Sequence, residues 1–167
     1  MTKERQSAAS SSLEGKYLTF SLAEEEFGIG ILKVKEIIGI MPITPVPKAP
    51  EAVKGVINLR GKVIPIIDLR LKFGLPEVEP TERTCIVVVD VATEKQALQM
   101  GVVVDSVSEV LNVKAEEIEG RPEFGGSVGN TDYIIGMAKA QGGVKILMDI
   151  DEVLAADEIS TVFKTAN

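Results

Sequence analysis

From Tyr17 onward the chain is built from short apolar runs rich in Val and Ile, separated by Gly, Pro and acidic residues, the pattern of a mainly β protein. YLTFSL, Tyr17 to Leu22, alternates and ends at the acidic turn Ala23 to Glu26, and FGIGI, starting at Phe27, returns as the next strand. ILKVKEIIGI follows, with apolar residues at Ile31, Leu32, Val34, Ile37, Ile38 and Ile40. Its first part fits a single helical turn and the rest a strand, and the pattern leaves the boundary open. MPITPVPKAP then carries Pro42, Pro45, Pro47 and Pro50, a spacing that forbids a helix or a central strand and predicts a stiff loop.

AVKGVINLRGKVIPIIDL predicts a hairpin: Val53 to Leu59 runs out, Arg60, Gly61 and Lys62 turn, and Val63 to Ile67 runs back, with Gly61 supplying a positive φ. Pro65 predicts that the return strand lies at an edge or a bulge. Asp68 stands where a helix N-cap belongs, LRLKF forms a short helix, and Gly74 lies just past its end. Pro76 and Pro80 mark a linker, after which the second half repeats the plan: TCIVVVDV, a polar turn from Ala92 to Lys95, ALQMGVVVDSVSEVL, and YIIGMAKAQGGVKILMDIDEVL.

The repetition can be traced residue by residue. An offset of 81 positions lays Gly136 on Gly55, Gly142 on Gly61, Val144 on Val63 and Asp149 on Asp68 without a gap. An offset of 73 lays Gly101 on Gly28, Val104 on Ile31, Val107 on Val34, Glu109 on Glu36 and Val110 on Ile37. The difference between the offsets places an insertion in EGRPEFGGSVGNTD. Each half has about 65 residues, too few for an ample core of its own, so two β units related by a pseudo-twofold axis and packed on each other are expected.

Composition narrows the chemistry. The 167 residues include no His, which removes the usual neutral-pH base, the His-dependent nucleophile arrangements and the commonest metal ligand. The single cysteine, Cys85, lies in an apolar run and reads as a small buried hydrophobe, and it can form neither a disulfide nor a thiolate zinc site within the chain. A net charge of −7 with no basic run argues against nucleic acid or anionic lipid as a partner. No apolar run is long enough to insert in a bilayer. MTKERQSAASSSLEG has no apolar stretch after its charges and reads as a disordered tail of a cytoplasmic protein.

The motif candidates are weak. Gly28 and Gly30 lack the third Gly and the βαβ context of a dinucleotide loop. Gly125, Gly126 and Gly129 are not followed by the Lys-Ser or Lys-Thr of a phosphate loop. Asp149, Asp151 and Glu152 lack the remaining ligands of a calcium loop, and Glu116, Glu117 and Glu119 read as a solvated turn. The reading is therefore no catalytic residue, no cofactor and no metal. Two charged residues stand out, Glu36 inside VKEII and Arg60 at the tip of an apolar hairpin. They are either outward positions of alternating strands or an ion pair that fixes the hairpin and puts a polar centre in an apolar surface.

GVINLRGKVIPIIDLR, Gly55 to Arg70, resembles the hallmark segment of the CheW family of bacterial chemotaxis coupling proteins, and FGIGILKVKEI resembles the segment before it. The resemblance continues through MGVVVDSVSEVL to ILMDIDEVL. It implies a mainly β fold of two SH3-like five-stranded barrels with a few short helices. The organisation it implies is a tail at 1–15, a CheW-like domain at 16–157 with barrels at about 16–82 and 83–157, and a tail at 158–167. It also implies a non-enzymatic adaptor that joins chemoreceptor cytoplasmic hairpin tips to the regulatory domain of the histidine kinase CheA, in the cytoplasm at membrane-associated receptor arrays. The alternatives are the regulatory domain of a CheA-type kinase or a CheV-like coupling module.

Carried onto this chain, the family pattern places Val34, Glu36, Gly55, Arg60, Gly61, Ile86, Gly101 and Val110 in or beside a receptor-binding groove between the barrels. Val34 and Ile86 would supply apolar contact, and Arg60 with Glu36 a polar clamp. Ile43, Pro45 and Val46, in the proline loop, are the candidates for contact with the kinase. The turn VATEKQAL and the Gly-rich EFGGSVGN depart from the family pattern, so the second barrel's surface is expected to differ.

Overall fold

The computed structural model describes residues 13–92, 97–119, 133–140 and 143–154. Residues 1–12 of the N-terminal tail, the whole C-terminal tail, most of the Ala92 to Lys95 turn and the EFGGSVGN segment lie outside these residues. The strands are β1 (Gly15–Leu22), β2 (Glu25–Gly30), β3 (Val34–Gly39), β4 (Val53–Leu59), β5 (Lys62–Asp68), β6 (Cys85–Ala92), β7 (Ala97–Val104), β8 (Ser106–Val113), β9 (Ile118–Glu119), β10 (Ile134–Ala140) and β11 (Gly143–Met148). Two short helices, α1 (Leu69–Lys72) and α2 (Ile150–Leu154), follow β5 and β11. The open boundary after Ile31 resolves as a 3-10 turn at Ile31–Lys33 leading directly into β3.

The strands form two sheets, of order β8-β1-β2-β11-β10-β9 and β3-β6-β7-β5-β4. The division into barrels at 16–82 and 83–157 does not follow them: β1 and β2 join strands of the second half, while β6 and β7 join strands of the first. The cause lies in the parallel pairs. Gly28 of β2 faces Leu147 of β11, and Gly101 of β7 faces Ile66 of β5, so each half lends its first hairpin to the other half's sheet. With no side chain at either glycine the partner packs closely. A Cβ at Gly28 would lie 3.1 Å from Leu147 Cδ2, and one at Gly101 would lie 2.6 Å from Ile66 Cδ1.

The duplication is otherwise reproduced in detail. Asp68 Oδ1 accepts the N–H of Arg70 at 2.9 Å, and Asp149 Oδ1 accepts that of Asp151 at 3.0 Å, so both helices are capped alike. Asp68 N–H donates to Ala52 O and Asp149 N–H to Tyr133 O, both at 2.8 Å. The sixth strand of the larger sheet also has a counterpart. Chain leaving β8 returns as β9 to the free edge of β10, and chain leaving β3 returns at Thr44 to pair with Val56 of β4. The sheets curl round this way, which gives β10 and β4 a further partner, while β8 and β3 remain edge strands among the described residues.

The proline loop contains no helix or strand beyond that bridge, as expected. Pro65 departs from expectation, since β5 is interior, between β7 and β4. Its missing N–H is tolerated because the parallel ladder to β7 begins one residue later, at Ile66. The hairpin turns at Gly61 as read, but over two residues, with Lys62 already in β5: Arg60 and Gly61 have φ of 50° and 89°, the two positive angles of a type I′ turn, and Asn58 Oδ1 accepts the Gly61 N–H at 2.8 Å.

Three apolar clusters account for the uninterrupted Val/Ile runs. The largest fills the seam between the sheets, with Leu18, Phe20 and Ile29 from one and Val87, Val89 and Val102 from the other. Ile57, Ile64, Ile66, Ile86 and Val88 fill one barrel, and Tyr17, Val113, Ile118, Ala138 and Leu147 the other. In CIVVVDV the odd residues Val87, Val89 and Val91 face the seam and the even Ile86 and Val88 face the barrel interior, so both faces are buried and polar alternation disappears. Cys85 is half-buried at the margin of the seam.

Two buried-edge carboxylates make stability pH-dependent. Lys145 donates to Glu26, which holds that carboxyl below its ordinary range against the opposing effect of burial. Burial pushes Asp105 up, but hydrogen bonds from Arg70 and the Ala23 N–H outweigh it and bring the carboxyl below its ordinary range. A carboxylate with a lowered folded pKa stabilises above its unfolded pKa, and that stability is lost as pH falls toward the folded value. Asp68 works the other way, because burial raises its carboxyl despite the Leu71 and Arg70 N–H groups, and it offsets part of the loss. Chemical denaturation at stepped pH is expected to show stability falling below about pH 5, with a shallower fall in Asp105→Asn.

Candidate functional site

The two edge strands β3 and β8 supply the most distinctive surface. In β3, Val34 pairs with Val89, Glu36 with Val88 and Ile37 with Val87, so Lys35 is skipped as a bulge. Strict alternation would put Val34 and Ile37, three apart, on opposite faces; the bulge returns both to the seam side. β8 repeats the device. Val107 pairs with Phe20, Glu109 with Thr19 and Val110 with Leu18, so Ser108 is skipped. Thr19 Oγ1 closes that bulge by donating to Glu109 O at 2.9 Å and accepting the Glu109 N–H at 3.1 Å. Two aliphatic pairs, Val34 with Ile37 and Val107 with Val110, thus stand at the margins of the seam.

Val34 and Val107 are half-buried against the seam core, whereas Ile37 and Val110 remain 43% and 52% exposed. The family pattern placed Val34 and Val110 at the groove and did not include Ile37 and Val107, which share their margins. The signal for the missing pair was the 73-position offset, which lays Val107 on Val34 and Val110 on Ile37.

The other candidates fall elsewhere. Glu36 and Arg60 do pair, Arg60 Nη2 donating to Glu36 Oε1, and so tie β3 to the β4–β5 turn. Glu36 projects on the opposite face of β3 from Val34 and Ile37, level with Val88 and the barrel interior, so the ion pair is a separate polar feature. With Arg60 70% exposed, the pair lies in the range of surface ion pairs, worth up to about 1 kcal/mol, rather than of a buried one. Arg60→Ala is accordingly expected to change unfolding free energy in urea by no more than about 1 kcal/mol.

Ile86 presents no surface. It is 0% exposed, within the barrel core on β6, where it pairs with Ile38 of β3. Gly101 is buried beside it, and Gly55 is buried at the bridge to Thr44, while Gly61 is exposed at the hairpin tip. Of the loop candidates, Ile43 is partly committed to the barrel core, Pro45 is exposed and Val46 is half-exposed. Among the described residues no group of three or more His, Cys, Asp or Glu side chains could hold a metal ion, and no helix is long and apolar enough to cross a membrane.

Comparison with known proteins decides the family. The CheW-like domain model matches residues 16–158. This chain belongs to the CheW family. The chemotaxis protein CheW of Klebsiella aerogenes is 40% identical over 151 residues, covering 90% of this chain and 88% of that protein. The CheW of Rhizobium meliloti is 35% identical over 141 residues, covering 84% of this chain and 88% of its own length. Among solved structures, the scaffolding protein TtCheW of Thermoanaerobacter tengcongensis superposes with a TM-score of 0.74 at 33% identity, covering 87% of this chain and 95% of that one. The CheW match thus takes in both bulged edge strands, the Glu36–Arg60 pair and both capped helices.

Proposed function

We propose that this chain is a non-catalytic adaptor of bacterial chemotaxis, holding receptor cytoplasmic tips and the kinase CheA together so that receptor state reaches the kinase. The observation that carries the reading is CheW-family membership across residues 16–158, with relatives named as chemotaxis CheW proteins and a structural neighbour named as a scaffold. In this reading the receptor's helical tip lies along the seam margin, its aliphatic side chains against Val34, Ile37, Val107 and Val110, a helix-in-groove mode. Ile37 and Val110 supply exposed apolar area, with Arg60 and Glu36 at the periphery. The kinase's regulatory domain meets the proline loop at Pro45 and Val46, with Ile43 anchoring that loop to the barrel. The site of action is the cytoplasmic face of a membrane-associated receptor array.

Because the anchors are aliphatic and the chain has no Trp, binding energy is spread over several side chains rather than held by one aromatic anchor. The test is assembly. Mixed with a receptor cytoplasmic fragment and the CheA regulatory domain, the chain is expected to give a three-component complex in light scattering, since the two surfaces are distinct. Mutually exclusive binding of the two partners, or binding of neither by folded protein, contradicts the reading.

A further inference from the structure

Among the described residues the chain passes between the two sheets at two places, from β2 to β3 through Ile31–Lys33 and from β7 to β8 through Asp105. Each crossing leads directly into an edge strand that carries one of the aliphatic pairs. Each is also held by a carboxylate that joins a helix, the crossing and a hairpin turn.

At the β7–β8 crossing, Arg70 of α1 donates through Nε to Asp105 Oδ1 at 2.8 Å and through Nη2 to Oδ2 at 2.6 Å. Asp105 Oδ2 also accepts the N–H of Ala23, at the β1–β2 turn, at 2.7 Å. At the β2–β3 crossing, Asp151 of α2 accepts from Lys33 Nζ at 2.7 Å and, through Oδ1, from the N–H of Ala92 at 2.9 Å. The positions correspond. Arg70 and Asp151 are each the second residue of their helix, related by the 81-position offset. Val89 pairs with Val34 and Met100 as Phe20 pairs with Val107 and Phe27, so Ala92, three residues past Val89, is the counterpart of Ala23.

The charges are inverted. In one copy the helix brings the cation and the crossing the anion, and in the other the helix brings the anion and the crossing the cation. The two copies thus reach one geometry, with a helix, a crossing and a turn N–H meeting at a carboxylate, through opposite residue choices.

We propose that these two charge-inverted clasps, Arg70–Asp105–Ala23 and Asp151–Lys33–Ala92, are positioning devices that set where β8 and β3 leave the seam and so fix the two walls of the partner groove. Arg70, Asp105, Lys33 and Asp151 are positioning residues in this scheme, since contact with the partner is left to the aliphatic pairs. The functional part of the inference rests on the adaptor reading, whereas the positioning part does not.

The test uses Asp105→Asn, Lys33→Met and Lys33→Arg in the full chain, with two readouts. Amide hydrogen exchange of the protein alone reads the strands, and titration with the receptor fragment and with the CheA regulatory domain reads the surfaces. Asp105→Asn is expected to speed exchange in β8, and Lys33→Met in β3, with each weakening receptor binding about three- to tenfold while kinase binding stays within about twofold. Lys33→Arg, which keeps the cation, is expected to restore both readouts. Unchanged exchange in β3 and β8, equal loss of both partners, or failure of Lys33→Arg to rescue overturns the proposal. If wild type binds no receptor fragment, the adaptor reading fails, and the exchange measurement still decides the positioning role.

Discussion

Gly55→Ala is expected to be among the most damaging single substitutions in the chain, lowering stability by about 3 kcal/mol and the thermal midpoint by about 6–12 °C. Gly55 has a φ of +144°, which side-chain-bearing residues rarely adopt, and a Cβ there would lie 2.1 Å from the carbonyl oxygen of Thr44. That oxygen belongs to backbone and cannot swing aside. Relief requires breaking the reciprocal bonds between Thr44 and Val56, at 2.8 and 2.9 Å, which close the five-stranded barrel. The proline loop then loses its anchor next to Ile43, Pro45 and Val46, so affinity for the CheA regulatory domain is expected to fall together with stability, while receptor binding at the far margin of the seam falls less. Calorimetry and paired binding titrations check this, and a variant with wild-type melting and wild-type kinase binding contradicts it.

The second large effect concerns binding with little change in folding. Ile37→Glu combined with Val110→Glu places a charge on each wall of the seam margin, at side chains that are 43% and 52% exposed. The expected result is a loss of receptor-fragment affinity of about 100-fold or more, near the lower bound for removing two anchors. Unfolding free energy should change by about 1 kcal/mol or less, as for other surface positions. Kinase binding should be retained. The single substitutions test the pseudo-symmetry: comparable losses from each place both walls against the same ligand, whereas a loss from only one confines the receptor to a single barrel.

Much of this architecture was legible in the sequence, and the exceptions have physical causes. The two offsets correctly paired helix caps, bulged strands and close-packed glycines, because each records a local requirement. They did not reveal that the halves exchange hairpins. When two copies carry the same pairing signals, β2 can match its own half's β5 or the other half's β11 equally well, and the pairing is decided by three-dimensional connection, here the short crossings at Ile31–Lys33 and Asp105. The same limit explains the division at residue 82. Pro65 was misplaced because a missing N–H excludes a residue only from the positions where a ladder needs a donor, and the β7 ladder starts at Ile66.

In the site, the Glu36–Arg60 pair was read correctly as one of two alternatives, since both charges lie amid apolar neighbours and can reach each other from a strand and a hairpin tip. Ile37 was not among the residues the family pattern placed at the groove, and simple alternation could not add it, because a bulge shifts the face of every residue beyond it. Ile86 was placed in or beside the groove by the family pattern, and an apolar residue in a doubly buried strand carries no mark in the sequence of which side it faces. The distinction between exposed and supporting residues therefore came only from burial.

The most direct test of the central claim is CheA autophosphorylation in a reconstituted system with a receptor cytoplasmic fragment, measured with and without this chain. Adding the wild-type chain is predicted to make kinase activity depend on the receptor fragment, and adding the Ile37→Glu, Val110→Glu variant is predicted to leave it independent. Kinase activity that ignores the receptor in the presence of folded wild-type chain contradicts the adaptor account.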